Sequence, residues 1–221
     1  MLIRPNDYRG TTLILATGDD LDAVPDSHRD LVTAAIRDAF ADPKSHFGQI
    51  AAKTSLRNLR DYLSTFIDEG NWALILADIY MRQRATISAF QWSHPSMSGC
   101  LFAPASSAPV DSRFAALYTD FDLVHWSAIG YSGGILPAHE HIPLPVYGCS
   151  STNARFPAES STVFATSPGG DAMIYNSQGD AGYLSHETGD SYVIGTIPEM
   201  LDWVFGKLMH DQLPEFDYSH C

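Results

Sequence analysis

Between residues 163 and 205, three glycine-bearing turns separate four short runs of β-forming residues, and a capped amphipathic helix follows at once. Few folds other than an antiparallel meander ending in a helix accommodate that order. Val163-Phe164-Ala165 leads into Ser167-Pro168-Gly169-Gly170-Asp171, where proline presets φ and the following glycine, Gly169, accepts the positive φ that a type II turn needs. Ala172-Met173-Ile174-Tyr175 reads as a second strand and ends at Asn176-Ser177-Gln178-Gly179. Gly182-Tyr183-Leu184-Ser185-His186 and Ser191-Tyr192-Val193-Ile194 flank a third turn, Glu187-Thr188-Gly189-Asp190. The helix announces itself by the capping-box spacing of Thr196 and Glu199, with Pro198 in the first turn, where its missing donor is harmless. Ile197, Leu201, Val204, Phe205 and Leu208 form its apolar stripe; Lys207 and His210 suit its end, and Pro214 forbids continuation.

The first ninety residues read as mainly helical. Thr11-Thr12-Leu13-Ile14-Leu15 suits a strand, and Gly18-Asp19-Asp20 a turn. A helix from about Ser27 places Val32, Ala35, Ile36, Ala39 and Phe40 on one face and breaks at Pro43. Another begins near Thr54 or Ser55, carries Leu56, Leu59, Leu63, Phe66 and Ile67 as a stripe, and stops at Gly70. Residues 72–92 are apolar on several faces, which suits a buried helix or a helix passing into a strand, with helix expected at the start. Residues 96–110 change to Ser, Pro, Ala and Gly, and Pro95, Pro104 and Pro109 disfavour regular structure, so a boundary or long surface loop is expected there. A short helix over 113–118 and a strand over 123–131, ending at Gly133-Gly134, precede an irregular stretch with Pro137, Pro143 and Pro145. The expected fold class is therefore α+β: a mainly helical part over residues 1–95, then an antiparallel meander closed by a C-terminal helix over 96–221, packed as one compact unit.

With 221 residues, 45% hydrophobic and 18% charged, the chain has the composition of a folded soluble protein. It has no apolar run near the ~20 residues that span a bilayer, and its start lacks the basic-then-apolar layout of a secretory signal, so a cytoplasmic location is expected. Cys100, Cys149 and Cys221 are widely spaced, which suits reduced structural thiols. Charge discriminates further. The formal net charge is −13, which disfavours nucleic acid and anionic membrane as direct partners and favours a basic protein. Residues 91–221 hold three Lys or Arg against fourteen acids, a net of 3 − 14 = −11, and so carry most of the excess.

No catalytic, metal or cofactor site is expected. His139-Glu140-His141 has the His-x-His pattern that directs two imidazoles to one side of a strand, and with Gly133 it resembles the opening of the cupin metal motif. Pro145 and Val146 then occupy the place of that motif's Glu. Ser132, Ser167, His186 and Asp171 are the raw material of a hydrolase, but no Gly-x-Ser-x-Gly elbow presents a nucleophile, and Ser167-Pro168-Gly169-Gly170 lacks the Gly-Lys-Ser/Thr end of a phosphate loop. Trp126, Trp203, Tyr175 and Tyr183 lie inside expected elements and read as core aromatics. The acids Asp171, Asp180, Glu187 and Asp190 lie in or beside the turns, where solvation at the ends of the sheet is expected.

Taken in order, Leu117-Tyr118, Trp126, Gly133-Gly134, Phe164-Ala165-Thr166-Ser167-Pro168-Gly169-Gly170-Asp171 with Tyr175, Gly182-Tyr183-Leu184-Ser185-His186-Glu187 and Leu201-Asp202-Trp203-Val204-Phe205 resemble the C-terminal half of a SUKH-superfamily domain. The match covers about residues 115–217. The resemblance implies a bacterial immunity protein that binds a cognate polymorphic toxin, often a nuclease, and blocks it sterically and electrostatically. Asp171, Asp180, Glu187 and Asp190 would then contribute to a toxin-facing rim. A regulatory or scaffold role of the same family is the alternative, and a metal-dependent enzyme using His139 and His141 comes third.

Overall fold

The computed structural model describes residues 13–15, 21, 24, 26–69, 71–79, 82–90, 100–105, 111–128, 131–167 and 169–210. The turn expected at Gly18-Asp19-Asp20, the stop at Gly70, and Pro95, Pro109, Pro168 and Pro214 lie outside these residues. The architecture is α+β. Strands β1 (Leu13–Leu15), β2 (Asn71–Ile79), β3 (Arg82–Phe90), β4 (Cys100–Pro104), β5 (Phe121–Ala128), β6 (Tyr131–Ile135), β7 (Ile142–Pro143), β8 (Ser161–Thr166), β9 (Ala172–Asn176), β10 (Asp180–Leu184) and β11 (Ser191–Thr196) form one antiparallel sheet. Neighbours in sequence are neighbours in space, except that β6 and β7 both pair with β8. The sheet is open, with β1 and β11 as its outer strands among the described residues.

Among the described residues six α-helices accompany it: α1 (Ala34–Ala41), α2 (Pro43–Lys53), α3 (Arg57–Glu69), α4 (Ala115–Tyr118), α5 (Leu144–Tyr147) and α6 (Ile197–Met209). Residues 26–31, where the first helix was expected to begin, are a 3-10 turn, and Thr33 then caps α1 by accepting from the Ile36 N–H at 3.3 Å. Pro43 ends one helix and starts the next. Asp42 accepts from the Ser45 N–H at 3.1 Å, and proline fits the first turn of α2 because that position has no intrahelical donor to lose. In α6 the Glu199 carboxylate receives the Thr196 N–H at 2.7 Å and its hydroxyl at 2.8 Å, and these bonds hold the carboxyl below the usual carboxylate range.

The meander reverses where its turns were expected, although in the first turn the positive φ falls on Gly170 and not on Gly169. Gly170, Gly179 and Gly189 take φ of 91°, 93° and 76°, so each hairpin turns on a residue for which left-handed backbone carries no Cβ penalty. Farther upstream the structure differs from the expected layout. Residues 72–92 do not begin as a helix: β2 and β3 form a nine-residue hairpin in continuous register from Asn71↔Phe90 to Ile79↔Arg82. The reason is burial on two faces, with Trp72, Leu74 and Leu76 in the main core and Ala73 and Ile75 in a smaller cluster with Leu101 and Leu123. A strand covered on both sides reads as an unbroken apolar run, and the period-two signal disappears. The stretch expected to be a loop contains β4, whose Pro104 sits at a register shift at the strand end, where a missing N–H is tolerated. Gly133-Gly134 do not end a strand but lie within β6.

The main core lies between the sheet and the helices. Val32, Ile36, Ala39 and Phe40, then Leu56, Leu59 and Leu63, then Ile197, Met200, Leu201, Val204 and Phe205 bury their stripes there. Apart from Ala39, each such side chain contributes roughly 1.5–3 kcal/mol of transfer free energy. Phe47 stacks on Trp72 with centroids 4.6 Å apart, and Phe102 and Phe121 complete an aromatic centre. Helices from the two ends of the chain also meet: Asp202 of α6 accepts the Asn58 N–H at 2.7 Å, and its carbonyl accepts Asn58 Nδ2 at 2.9 Å. A carboxylate from α6 thus caps the first turn of α3. On the opposite face Leu144, Phe156, Val163, Ala172, Ile174 and Leu184 form a second cluster under the segment 142–160. β3 and β4 are hydrogen-bonded on either side of the division expected at 95/96, so the sheet crosses it.

Gly182 lies at the bulge of β10 against β11. A Cβ there would overlap the Tyr192 carbonyl oxygen and lie 2.8 Å from the Phe156 ring. Gly182→Ala is expected to destabilise the protein by about 1–3 kcal/mol, read as a lower urea midpoint with unchanged slope.

Candidate binding surface

The ends of the meander carry the polar groups that the sequence singled out, and the alternation of hairpins divides them. The β8–β9 and β10–β11 turns lie at one end of the sheet, the β9–β10 turn at the other. Asp171, Glu187 and Asp190 therefore share an end, while Asp180 sits a strand length away, about 17 Å for five residues.

Asp171 departs from expectation. It is only 9% exposed, not solvated, because its Oδ1 accepts the His186 N–H at 3.0 Å and lies 2.9 Å from His186 Nδ1. With a carboxylate acceptor, Nδ1 carries the donated proton. The Asp171 N–H donates to Ser167 Oγ at 3.1 Å, its carbonyl accepts the Ser167 N–H at 2.8 Å, and the Tyr147 hydroxyl donates to the Gly170 carbonyl at 2.8 Å. The Asp171 carboxylate ties the two hairpin turns together, and Tyr147 ties the segment beneath them to the first turn through the Gly170 carbonyl. Gly170-Asp171 and His186-Glu187, quoted above as separate pieces of sequence, are thus in direct contact.

Asp180 is also engaged. Its Oδ2 accepts from Arg155 Nη1 at 3.0 Å and from Asn176 Nδ2 at 3.1 Å, so one of the three cations of the acidic half already neutralises it. Glu187 is exposed and Asp190 half-exposed, and among the described residues neither carboxylate has an ion-pair partner. Of the four expected rim acids, the structure leaves this pair available to another molecule.

The histidines take separate places. His139 lies in the 3-10 turn Ala138–Glu140 with 70% of its side chain exposed, whereas His141 is half-buried against Phe114, Tyr118 and Tyr175. The Tyr118 hydroxyl donates to the Leu136 carbonyl, so His141 Nε2, 2.7 Å away, donates to the tyrosine oxygen; Nδ1 then accepts from the Tyr175 hydroxyl at 3.4 Å. Both ring nitrogens are engaged within the fold. Between the two histidines, Glu140 holds Arg84 of β3 by two bonds of 2.7 and 2.8 Å. No group of three His, Cys, Asp or Glu able to hold a metal comes together among the described residues.

The described thiols and aromatics are buried or half-buried, and Cys221 lies outside the described residues. Burial pushes the Cys100 thiol up to about 12, and Cys149 is raised as well by burial and by the Asp171 charge, which disfavours the nucleophilic thiolate. Trp126 and Tyr183 are fully buried, and Tyr175 and Trp203 pack partly buried against the core. Arg113, bidentate to Asp111, lies 5.1 Å from the Tyr175 ring centre. The Arg84–Glu140 and Asn58–Asp202 pairs lie 56 and 144 positions apart, with no local sequence signal.

No described helix is long and apolar enough to cross a membrane. Compared with models of known protein families, with curated proteins and with solved structures, the chain matches none.

Burial lowers His125 and His141 to about 4 from an ordinary value of 6.5. The unfolded chain then binds protons before the folded one, so stability is lost as pH falls from about 6.5 to 4 and regained as it rises. Each imidazole contributes a slope of up to about 1.4 kcal/mol per pH unit in that window. Urea unfolding at pH 5 is expected to give a free energy about 2–4 kcal/mol below that at pH 7; equal values would show that the two rings are hydrated.

Proposed function

We propose that this protein is a binding protein of the immunity type, which captures a basic cognate toxin and blocks it sterically and electrostatically. The charge layout carries the reading. Residues 156–206 contain Glu159, Asp171, Asp180, Glu187, Asp190, Glu199 and Asp202, seven carboxylates, and no Lys or Arg. A cation-bearing partner is steered toward such a field, and a nuclease that grips phosphates displays the required cations. The resemblance of residues 115–217 to a SUKH domain supports the same reading. The reactive side chains support it too, because His141, His186, Asp171 and Cys100 are engaged in holding the fold.

The division among the acids refines which residues carry the contact. Glu187 and Asp190 are the toxin-facing pair, Asp171 acts by fixing the turns that present them, and Asp180 contributes through its pair with Arg155.

The test is capture of a catalytically inactive toxin encoded beside this gene, paired with protection of cells that express the active toxin. Wild-type protein is expected to bind one to one, with affinity falling about tenfold or more as salt rises from roughly 50 to 300 mM. Glu187→Lys with Asp190→Lys is expected to weaken binding at least about tenfold at low salt while leaving thermal unfolding unchanged. Absence of capture, or salt-independent binding, overturns the reading.

A further inference from the structure

The outer strand β11 has the features of a strand acceptor. Ser185 N–H donates to the Asp190 carbonyl at 2.9 Å, while the Ser185 carbonyl accepts the Gly189 N–H at 3.0 Å; the first bond points the Asp190 carbonyl toward β10 and sets the phase of the β10–β11 ladder. Hydrogen-bonded pairs alternate along an antiparallel ladder with pairs whose main-chain groups point away from each other. Leu184 lies opposite Ser191, Tyr183 opposite Tyr192 and Gly182 opposite Val193, so the N–H and C=O of Ser191 and Val193 face outward. Ser191 bears this out: Asn153 Nδ2 donates to its carbonyl at 3.0 Å, as a neighbouring strand would. Val193 has no such partner among the described residues, and its side chain is 39% exposed.

Natural edge strands are blunted by Lys, Pro, inward charges or bulges; the run Ser191-Tyr192-Val193-Ile194-Gly195-Thr196 contains no Lys, Pro or charge, and its one irregularity is the register shift after Val193. Its two ends are charged with one sign, by Glu187 and Asp190 before it and Glu199 after it. A second copy pairing antiparallel about Val193 would bring Asp190 opposite Thr196 and beside Glu199, placing carboxylate against carboxylate. An extended segment carrying Lys or Arg meets the opposite situation.

We propose that β11 binds its partner by strand addition at Val193, taking an extended basic segment of the partner protein whose cations pair with Glu187, Asp190 and Glu199. This rests on the binding function proposed above and specifies the surface that performs it.

The test uses the full-length protein and the inactivated toxin encoded beside its gene. Val193→Pro removes the outward N–H without touching a bond to β10, so the fold is expected to persist, with binding weakened at least thirtyfold. Wild-type and Val193→Pro proteins that bind equally overturn strand addition and leave the binding function standing, whereas a wild type that captures nothing removes both. Amide hydrogen exchange on the wild-type complex gives a second readout that needs no variant. Slowing of the Val193 amide by tenfold or more on complex formation supports the proposal; an unchanged rate, or slowing that arises from self-association of the protein alone, overturns it.

Discussion

Burial of one antiparallel sheet on two faces governs this structure. Successive residues of β2 alternate between the helix-covered core and the small cluster of Ala73, Ile75, Leu101 and Leu123, while β9 divides Met173 and Tyr175 from Ala172 and Ile174. A one-residue slip in either strand would exchange the two sets, so side-chain size fixes the register on both sides at once. The helices then have a defined surface to cover. Helices α3 and α6, which meet through Asn58 and Asp202, come from distant parts of the chain and close the same layer.

That scaffold engages several of the described side chains from which chemistry is usually made. Asp171 and His186 join two turns, His141 joins α4 to β9 through two tyrosines, and Glu140 joins Arg84 of β3 to the segment after β6. Asp171, His141, Glu140 and Arg84 are charged or polar groups taken partly or largely from water and satisfied by designated partners, which is the condition for burying them without a large penalty, while His186 bonds Asp171 from the exposed side. Groups outside these networks differ in kind. Glu187 and Asp190 are carboxylates at a turn, next to an outer strand with an outward-facing backbone, and their chemistry suits association with a basic protein.

The C-terminal meander was legible because its information is local. Turn glycines, the capping-box pair Thr196 and Glu199, and the stripe of α6 each act within a few residues, and the structure places them where their chemistry requires. The β2–β3 hairpin was not legible. Its two-faced burial erases the alternation that identifies a strand, and its pairing with β4 spans a stretch whose prolines suggested a loop. Among the candidate acids, position near a turn was readable, but exposure was not: Asp171 and Glu187 look alike in sequence, and only the arrival of His186 withdraws Asp171 from solvent.

The sequence by itself determined the α+β class, the three reversals after β8, the closing helix and the negative field of the second half, because backbone preference and net charge belong to residues and their near neighbours. Tertiary structure alone decided which of these carboxylates remain exposed, which of these histidines are sequestered, and that β11 is an outer strand among the described residues. Those properties depend on contacts between residues far apart in the chain, and a side chain's charge says nothing about which distant partner will reach it first.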